Sequence, residues 1–169
     1  MTGERHTRVN SGLRLDREGR FWHDDAPVEH EGIGRAFTAG LSRTSDGRYV
    51  VRFGGDFAYV TVDDAPWQVL RLTLAGEELR LLLSDESHES LDPTTLASSP
   101  EGVLYARVKQ GERARFSRQA QADLAPFLAQ DGDGFALVLG AHRVRIGDDP
   151  GQPPPRPEDG PAPPDDAAP

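Results

Sequence analysis

The sequence contains no cysteine, and Lys109 is the only lysine among its 19 basic residues. Without thiols, a disulfide framework, a cysteine-ligated zinc or iron–sulfur site and a thiol nucleophile are excluded. The shortage of lysine argues against Schiff-base and P-loop chemistry, because both need a lysine side chain. No apolar run approaches the roughly 18 residues of a membrane helix, so we predict no membrane partner. Residues 1–12 are polar and lack an apolar leader segment, so we expect a cytoplasmic protein.

The net charge of −9 is unevenly distributed along the 169 residues. Residues 148–169 carry six acids, one base and nine of the 14 prolines, without any large apolar side chain. Such a segment cannot bury enough surface to offset chain ordering, so we predict a disordered, proline-rich acidic tail. Residues 102–147 carry seven bases and four acids, so the acidic total hides a basic segment. The overall acidity predicts no nucleic-acid partner.

The first part of the chain has the pattern of a hairpin, a helix and a second hairpin. Two short apolar segments flank a turn at residues 16–19. Ile33, Phe37 and Leu41 then follow at a spacing of four residues, which predicts a helix. Two segments with alternating side-chain character, separated by Gly54 and Gly55, predict a pair of strands.

The basic segment, residues 102–147, repeats this order of predicted elements. A hairpin turns at Gly111, Ser117 is a good N-cap for a helix, and two strands flank Gly140. Pro126 interrupts the helical pattern, so we expect the helix to break near Asp123. The sequence therefore predicts an α+β fold of mostly antiparallel β-strands, with two repeated β-β-helix-β-β units of one helix each joined by a β-hairpin. A single barrel with a helix at each end is the alternative.

These patterns predict five regions along the chain. They are a flexible N-terminus at residues 1–12, a first repeat unit plus bridging hairpin at 13–83, a loop at 84–101, a second repeat unit at 102–147, and the disordered tail at 148–169.

Three segments of the first unit have a distinctive pattern: the predicted strand pair at residues 13–23, the turn Asp46-Gly47-Arg48-Tyr49, and the corner at residues 62–67. In these segments the chain resembles a bacterial family catalogued as domain of unknown function 1285. The likeness extends to residues 102–147 through residues 105–107 and 115–118, whereas residues 82–85 depart from the family pattern. The resemblance implies a fold with repeated motifs and a role in signalling or ligand binding, with no established activity.

Histidines and carboxylates are densest between residues 23 and 31. His23, Asp24, Asp25 and His30 are of the types that ligate zinc or manganese, which leaves open a metal-assisted hydrolase. Acids are also favoured at a helix entry by capping and by the helix dipole, and this explanation needs no metal. No assembled catalytic motif is visible, so we predict no catalytic residue and no cofactor.

Basic and apolar residues alternate along three predicted strands of the basic segment, residues 102–147. The two-residue period of a strand places the basic side chains on the side opposite the apolar ones. If these strands share a sheet, one face carries a tyrosine and six cations, a set suited to an anionic ligand or protein partner. The candidate binding residues are Tyr105, Arg107, Lys109, Arg113, Arg115, Arg143 and Arg145. The alternatives are an ordinary solvated face and ion pairing with the acidic first unit.

The acidic tail is itself a candidate partner for this basic face, because a flexible tether raises its effective concentration. The sequence thus predicts a non-catalytic binding or regulatory module that uses the basic face or a groove between the repeats. The metal-assisted hydrolase and a structural assembly protein remain alternatives.

Overall fold

The computed structural model describes residues 11–151, which divide into two compact units between Asp63 and Asp64. Both units consist mainly of β-strands, and each contains one α-helix, so the α+β prediction is confirmed. Neither of these helices has the length and apolar character that a membrane crossing requires. The predicted flexible segment 1–12 and the disordered tail 148–169 lie largely outside the described residues.

The first unit is a six-stranded sheet with one helix. Its strands are β1 (Leu13–Leu15), β2 (Phe21–His23), β3 (Ala26–Pro27), β4 (Leu41–Arg43), β5 (Tyr49–Phe53) and β6 (Asp56–Val62), and helix α1 (Glu31–Ala39) connects β3 to β4. The strand order is β3-β2-β1-β6-β5-β4, in which only β1 and β6 are parallel. The strands β5 and β6 agree with the pair predicted around Gly54.

The apolar face of this sheet follows from the two-residue period of its strands. The register brings together Leu13, Leu15, Phe21, Val51, Ala58 and Val60, all of which are buried. Helix α1 contacts this region through Phe37, whose ring lies 5.4 Å from that of Phe21 and 6.1 Å from that of Phe53. No residue of α1 is itself buried. Leu41 begins β4 instead of ending the helix, because Gly40 terminates it.

The second unit contains two sheets. Its elements are β7 (Trp67–Ala75), β8 (Glu78–Leu83), β9 (His88–Ser90), β10 (Ala97–Ser98), β11 (Leu104–Val108), β12 (Glu112–Phe116), α2 (Arg118–Leu124), β13 (Leu128–Asp131), β14 (Gly134–Leu139), β15 (His142–Arg145) and β16 (Gly147–Asp148). Seven strands form one sheet in the order β16-β10-β11-β12-β7-β8-β9, while β13, β14 and β15 form a separate antiparallel sheet.

Helix α2 begins as the sequence predicts. Ser117 accepts a hydrogen bond from the Ala120 amide at 3.0 Å and caps the first turn. The α-helix ends at Leu124, and a single 3₁₀ turn, Ala125–Phe127, accommodates Pro126. A proline lacks the amide that an α-helix would need at this position.

The repeated β-β-helix-β-β unit is not confirmed. In the first unit the strands before and after α1 belong to one sheet, with β1 beside β6. In the second unit, β12 pairs in parallel with β7, and the three strands that follow α2, β13 to β15, form their own sheet. The two stretches therefore share an order of elements but differ in strand pairing.

Several predicted boundaries differ from the structure. The bridging hairpin, β7 and β8, belongs to the second unit instead of the first. Residues 84–101 are not a plain loop, because β9, a 3₁₀ turn (Pro93–Thr95) and β10 lie within them and Leu96 is buried. Asp148 is part of β16, which pairs with β10, so the ordered chain extends into the predicted tail. Ser11, which falls within the predicted flexible N-terminus at residues 1–12, is buried as well.

Candidate functional site

The predicted basic face does not form a single surface. Tyr105, Arg107, Arg113 and Arg115 lie opposite one another on β11 and β12. Arg143 and Arg145 lie on β15, which pairs with β14 in the separate three-stranded sheet. The condition that the three basic strands share one sheet is therefore not met, because β15 pairs with β14 and not with β11 or β12.

Arg113 and Tyr105 are buried instead of solvent-exposed. The Arg113 guanidinium lies 2.8 Å from Asp149 and 3.3 Å from Asp64, and stacks 3.8 Å from the centre of the Tyr105 ring. The Tyr105 hydroxyl donates to Asp64 at 2.7 Å, and Arg115 donates to the same carboxylate at 3.0 Å. Burial, together with the hydrogen bond to Asp64, raises the pKa of Tyr105. Two guanidinium groups thus face two carboxylates, and the charges balance.

Lys109 also has a carboxylate partner within the second unit. Its ammonium lies 2.7 Å from Asp85, donates to the Ser87 hydroxyl at 3.1 Å, and lies 4.7 Å from the centre of the Trp67 ring. Burial alone would raise the pKa of Asp85, but hydrogen bonds from Lys109 and Ser87 outweigh it and lower that pKa. Because Ser87 donates to Asp85, its hydroxyl belongs to an ion-pair network and not to a nucleophile–base pair.

The remaining basic residues lie near the surface. Arg143 lies 3.6 Å from Asp131, and Arg145 lies 2.9 Å from Asp133. Arg107 is exposed and donates to the Gly111 carbonyl at 3.3 Å. Six of the seven candidate residues therefore contact carboxylates of their own unit, so any anion must compete with these contacts. Anion binding by this set stays a prediction.

The candidate metal cluster is not assembled. His23 lies 3.7 Å from Asp24, while Asp24 and Asp25 form the turn between β2 and β3 with positive φ angles of 49° and 63°. Nowhere in residues 11–151 do three or more histidine or carboxylate side chains converge in a way that could hold a metal ion. His30 is the N-cap residue of α1 and makes no side-chain capping bond.

An open groove of about 420 Å³ lies in the first unit beside α1. Its apolar lining comes from the helix, the sheet and the segment between β3 and α1: Leu13, Val28, Ile33, Phe37, Phe53, Phe57 and Ala58. Ile33 remains 45% exposed and Phe53 43% exposed, so the groove presents large apolar side chains to its interior. A volume of this size is within the range of small-molecule sites.

Three polar residues complete the lining of this groove. Ser11 donates to the Tyr59 carbonyl and accepts from the Leu13 amide, which fixes the chain just before β1. His23 ends β2, and Asp56 begins β6, where its carboxylate accepts from the Phe57 amide at 2.8 Å. An apolar interior with a few polar groups is the usual composition of a small-molecule site.

The groove does not follow from the sequence pattern, although several of its lining residues belong to patterns that the sequence shows. Ile33 and Phe37 indicated a helix with an apolar face, but periodicity alone does not show whether such a face meets a core or a groove. The neighbouring carboxylates of His23 indicate a metal ligand, whereas the structure places this side chain in the lining of the groove. Phe53, an exposed aromatic residue beside the Gly54 turn, marks this end of the sheet.

Comparison with known proteins identifies solved structures that have a similar fold. No family model matches the sequence, and no curated protein matches it significantly. A crystal structure of a DUF1285 family protein from Silicibacter pomeroyi DSS-3 matches with a TM-score of 0.65 and 18% identity, covering 81% of this chain and 80% of that one. A DUF1285 family protein from Shewanella baltica OS155 matches with a TM-score of 0.56 and 14% identity, covering 70% of this chain and 93% of that one. This chain therefore has the fold of DUF1285 family proteins, as its sequence resemblance implied.

Proposed function

We propose that this protein is a binding module that holds a small, mainly apolar molecule in the groove beside α1. The observation that carries the proposal is the groove itself, in which side chains of helix and sheet surround about 420 Å³. This proposal retains the predicted role of a non-catalytic binding module. It places the binding site in the first unit and not at the basic residues. Signalling, which the family resemblance implied, stays a prediction.

The exposed side chains provide a driving force for binding. Full burial of an isoleucine or phenylalanine side chain contributes about 1.5–3 kcal/mol. Ile33 and Phe53 are each somewhat less than half exposed, so a ligand that covers both gains about 2 kcal/mol from these two residues. That gain corresponds to roughly a 30-fold increase in affinity.

Helix α1, which forms one side of the groove, has low intrinsic stability and can therefore adjust its position to a ligand. It contains Gly32 and Gly34, each of which costs about 1 kcal/mol relative to alanine inside a helix. It also has no side-chain N-cap bond and no basic residue in its last turn. Such a helix depends on its tertiary contacts, chiefly those of Phe37 with Phe21 and Phe53.

The test uses a neutral, environment-sensitive apolar dye, Nile red, with two matched variants. Phe53→Ser removes an apolar side chain that lines the groove, whereas Phe135→Ser removes one that is 56% exposed on β14. We expect saturable dye binding that weakens at least about fivefold in Phe53→Ser and is unchanged in Phe135→Ser. Equal loss in both variants, or no saturable binding to the folded protein, would refute the proposal.

A further inference from the structure

The walls of the groove beside α1 are rich in phenylalanine rings. Three of the ten described residues that line it are phenylalanines, although the whole chain has seven among 169 residues. They are Phe37 of α1, Phe53 of β5 and Phe57 of β6. The edge of an aromatic ring is positive and its face is negative, so a wall of rings discriminates between an aromatic molecule and a saturated one.

Two of these rings continue a row that begins in the interior of the first unit. Phe21 is buried, and its ring meets that of Phe37 edge-on, with 5.4 Å between the centroids and 69° between the planes. The Phe37 ring in turn lies 6.1 Å from that of Phe53, with 48° between the planes. Phe53 is 43% exposed. The row therefore ends on a ring with open surface, to which a further ring can add at a centroid distance of about 4.5–7 Å.

Charged groups of both signs border the groove. Asp56 and His23 line it, and residues 24–31 contain four acids. Arg35 lies on α1, and Arg52 directly precedes Phe53 on β5. An ion that leaves water for apolar walls needs a partner of opposite sign to offset its lost hydration. Because both signs are present, these surroundings do not select an ion of one sign, and the apolar walls determine the choice of ligand.

We propose that the ligand of the groove is a neutral, planar aromatic molecule that stacks on Phe53 and extends the row of rings formed with Phe21 and Phe37. This inference rests on the proposed function and adds the ligand's chemical class to it. A saturated molecule with the same carbon skeleton gains from the burial of apolar surface but makes no contact between rings. It therefore binds more weakly than the aromatic one.

Two probes separate these cases: 2-naphthalenemethanol and its ring-saturated form, decahydro-2-naphthalenemethanol. They share one carbon skeleton and one primary alcohol, both are neutral at pH 7, and the saturated form has at least as much apolar surface. Each is used to displace Nile red from the protein. From the usual strength of an aromatic pair, we expect the aromatic probe to bind about 2- to 12-fold tighter than the saturated one.

Three variants assign this preference to Phe53. Phe53→Leu keeps an apolar side chain but removes the ring, so it should abolish most of the preference and change the affinity for the saturated probe little. Phe53→Tyr keeps a ring and should keep the preference. Phe135→Leu removes a ring that is 56% exposed on β14 of the second unit, and it should keep the preference as well. The ratio of two affinities measured on one variant does not depend on the fraction of that variant that is folded.

A measurement on the unaltered protein locates the probe without any variant. In the complex with 2-naphthalenemethanol, we expect nuclear Overhauser contacts between the naphthalene protons and the ring of Phe53. Naphthalene contacts only to residues outside the groove would overturn the proposal, even if Phe53→Leu fails to fold.

The possible failures are distinguishable. If the two probes bind equally to the wild-type protein, or if Phe53→Leu keeps the preference, the aromatic ligand is refuted while the apolar binding module stands. Loss of the preference in Phe135→Leu refutes its assignment to the groove. If Nile red itself does not bind saturably, the proposed function fails and the aromatic ligand fails with it.

Discussion

Replacing Arg113 by methionine tests whether the buried ion cluster of the second unit holds the end of the ordered chain in place. Methionine has a similar unbranched stem but carries no charge. In the native protein the Arg113 side chain is 5% exposed, and the partner carboxylates of Asp149 and Asp64 are 7% and 10% exposed. The substitution therefore removes one charge from a cluster of two guanidinium and two carboxylate groups.

The two carboxylates lose different shares of their contacts. Asp64 keeps Arg115 and the Tyr105 hydroxyl as partners, whereas the Asp149 carboxylate keeps the Gly151 amide at 3.2 Å. Breaking a buried ion pair from one side costs about 3–5 kcal/mol. Because Asp64 remains paired, we expect Arg113→Met to lower the free energy of unfolding by about 3 kcal/mol, at the lower end of that range.

A double-mutant cycle identifies the origin of this loss. Once Asp149→Asn has removed the carboxylate, Arg113→Met should cost at least about 1 kcal/mol less than it does alone. Urea unfolding followed by Trp67 fluorescence in a Trp22→Phe background reports on the second unit, since each unit contains one tryptophan. A loss below about 1 kcal/mol, or strictly additive effects, would refute the reasoning.

Two further predictions concern helix stability and acid sensitivity. Gly34→Ala should raise the free energy of unfolding of the first unit by about 1 kcal/mol in urea, because the added Cβ meets nothing within 4 Å. Gly40→Ala is the contrasting control and should destabilise, since its Cβ would lie 2.0 Å from the Arg52 carbonyl oxygen. Hydrogen bonds from Arg71, Gln119 and the Leu72 amide lower the pKa of Asp123 from 3.8 to about 2. A lowered carboxyl pKa stabilises the fold above pH 4, and this contribution is lost as the pH falls toward 2. Asp123→Asn should therefore flatten the unfolding free energy between pH 5 and 2, and an unchanged acid dependence contradicts this assignment.

Local features were predictable where short-range physical chemistry determines them. Ser117 has the side chain and position of an N-cap, and the structure shows its bond to Ala120. The break in the helix before Pro126 follows from the missing proline amide. The hairpin of β5 and β6 follows from alternation on both sides of two glycines.

The non-local features were not predictable from periodicity. Alternation places Arg113 opposite the apolar side chains of β12, but it does not distinguish a ligand-binding face from a solvated face or from ion pairing with other segments of the chain. The carboxylates that cover Arg113 come from Asp64, before β7, and from Asp149, after β16. Likewise, alternation along residues 143–145 indicates a strand but not the neighbour with which it pairs. The groove is not predictable from periodicity either, because it depends on the space between α1 and the sheet.

The contacts of Lys109 have a practical consequence for chemical labelling. This chain has only one ε-amine, and that amine is held against Asp85, Ser87 and the Trp67 ring. An ammonium in such an ion pair must lose its proton and leave its partners before it can attack an amine-reactive reagent. Near neutral pH, modification of Lys109 by such a reagent should therefore be slow. The rate at which this single side chain is labelled thus reports how often its contacts with Asp85, Ser87 and Trp67 open.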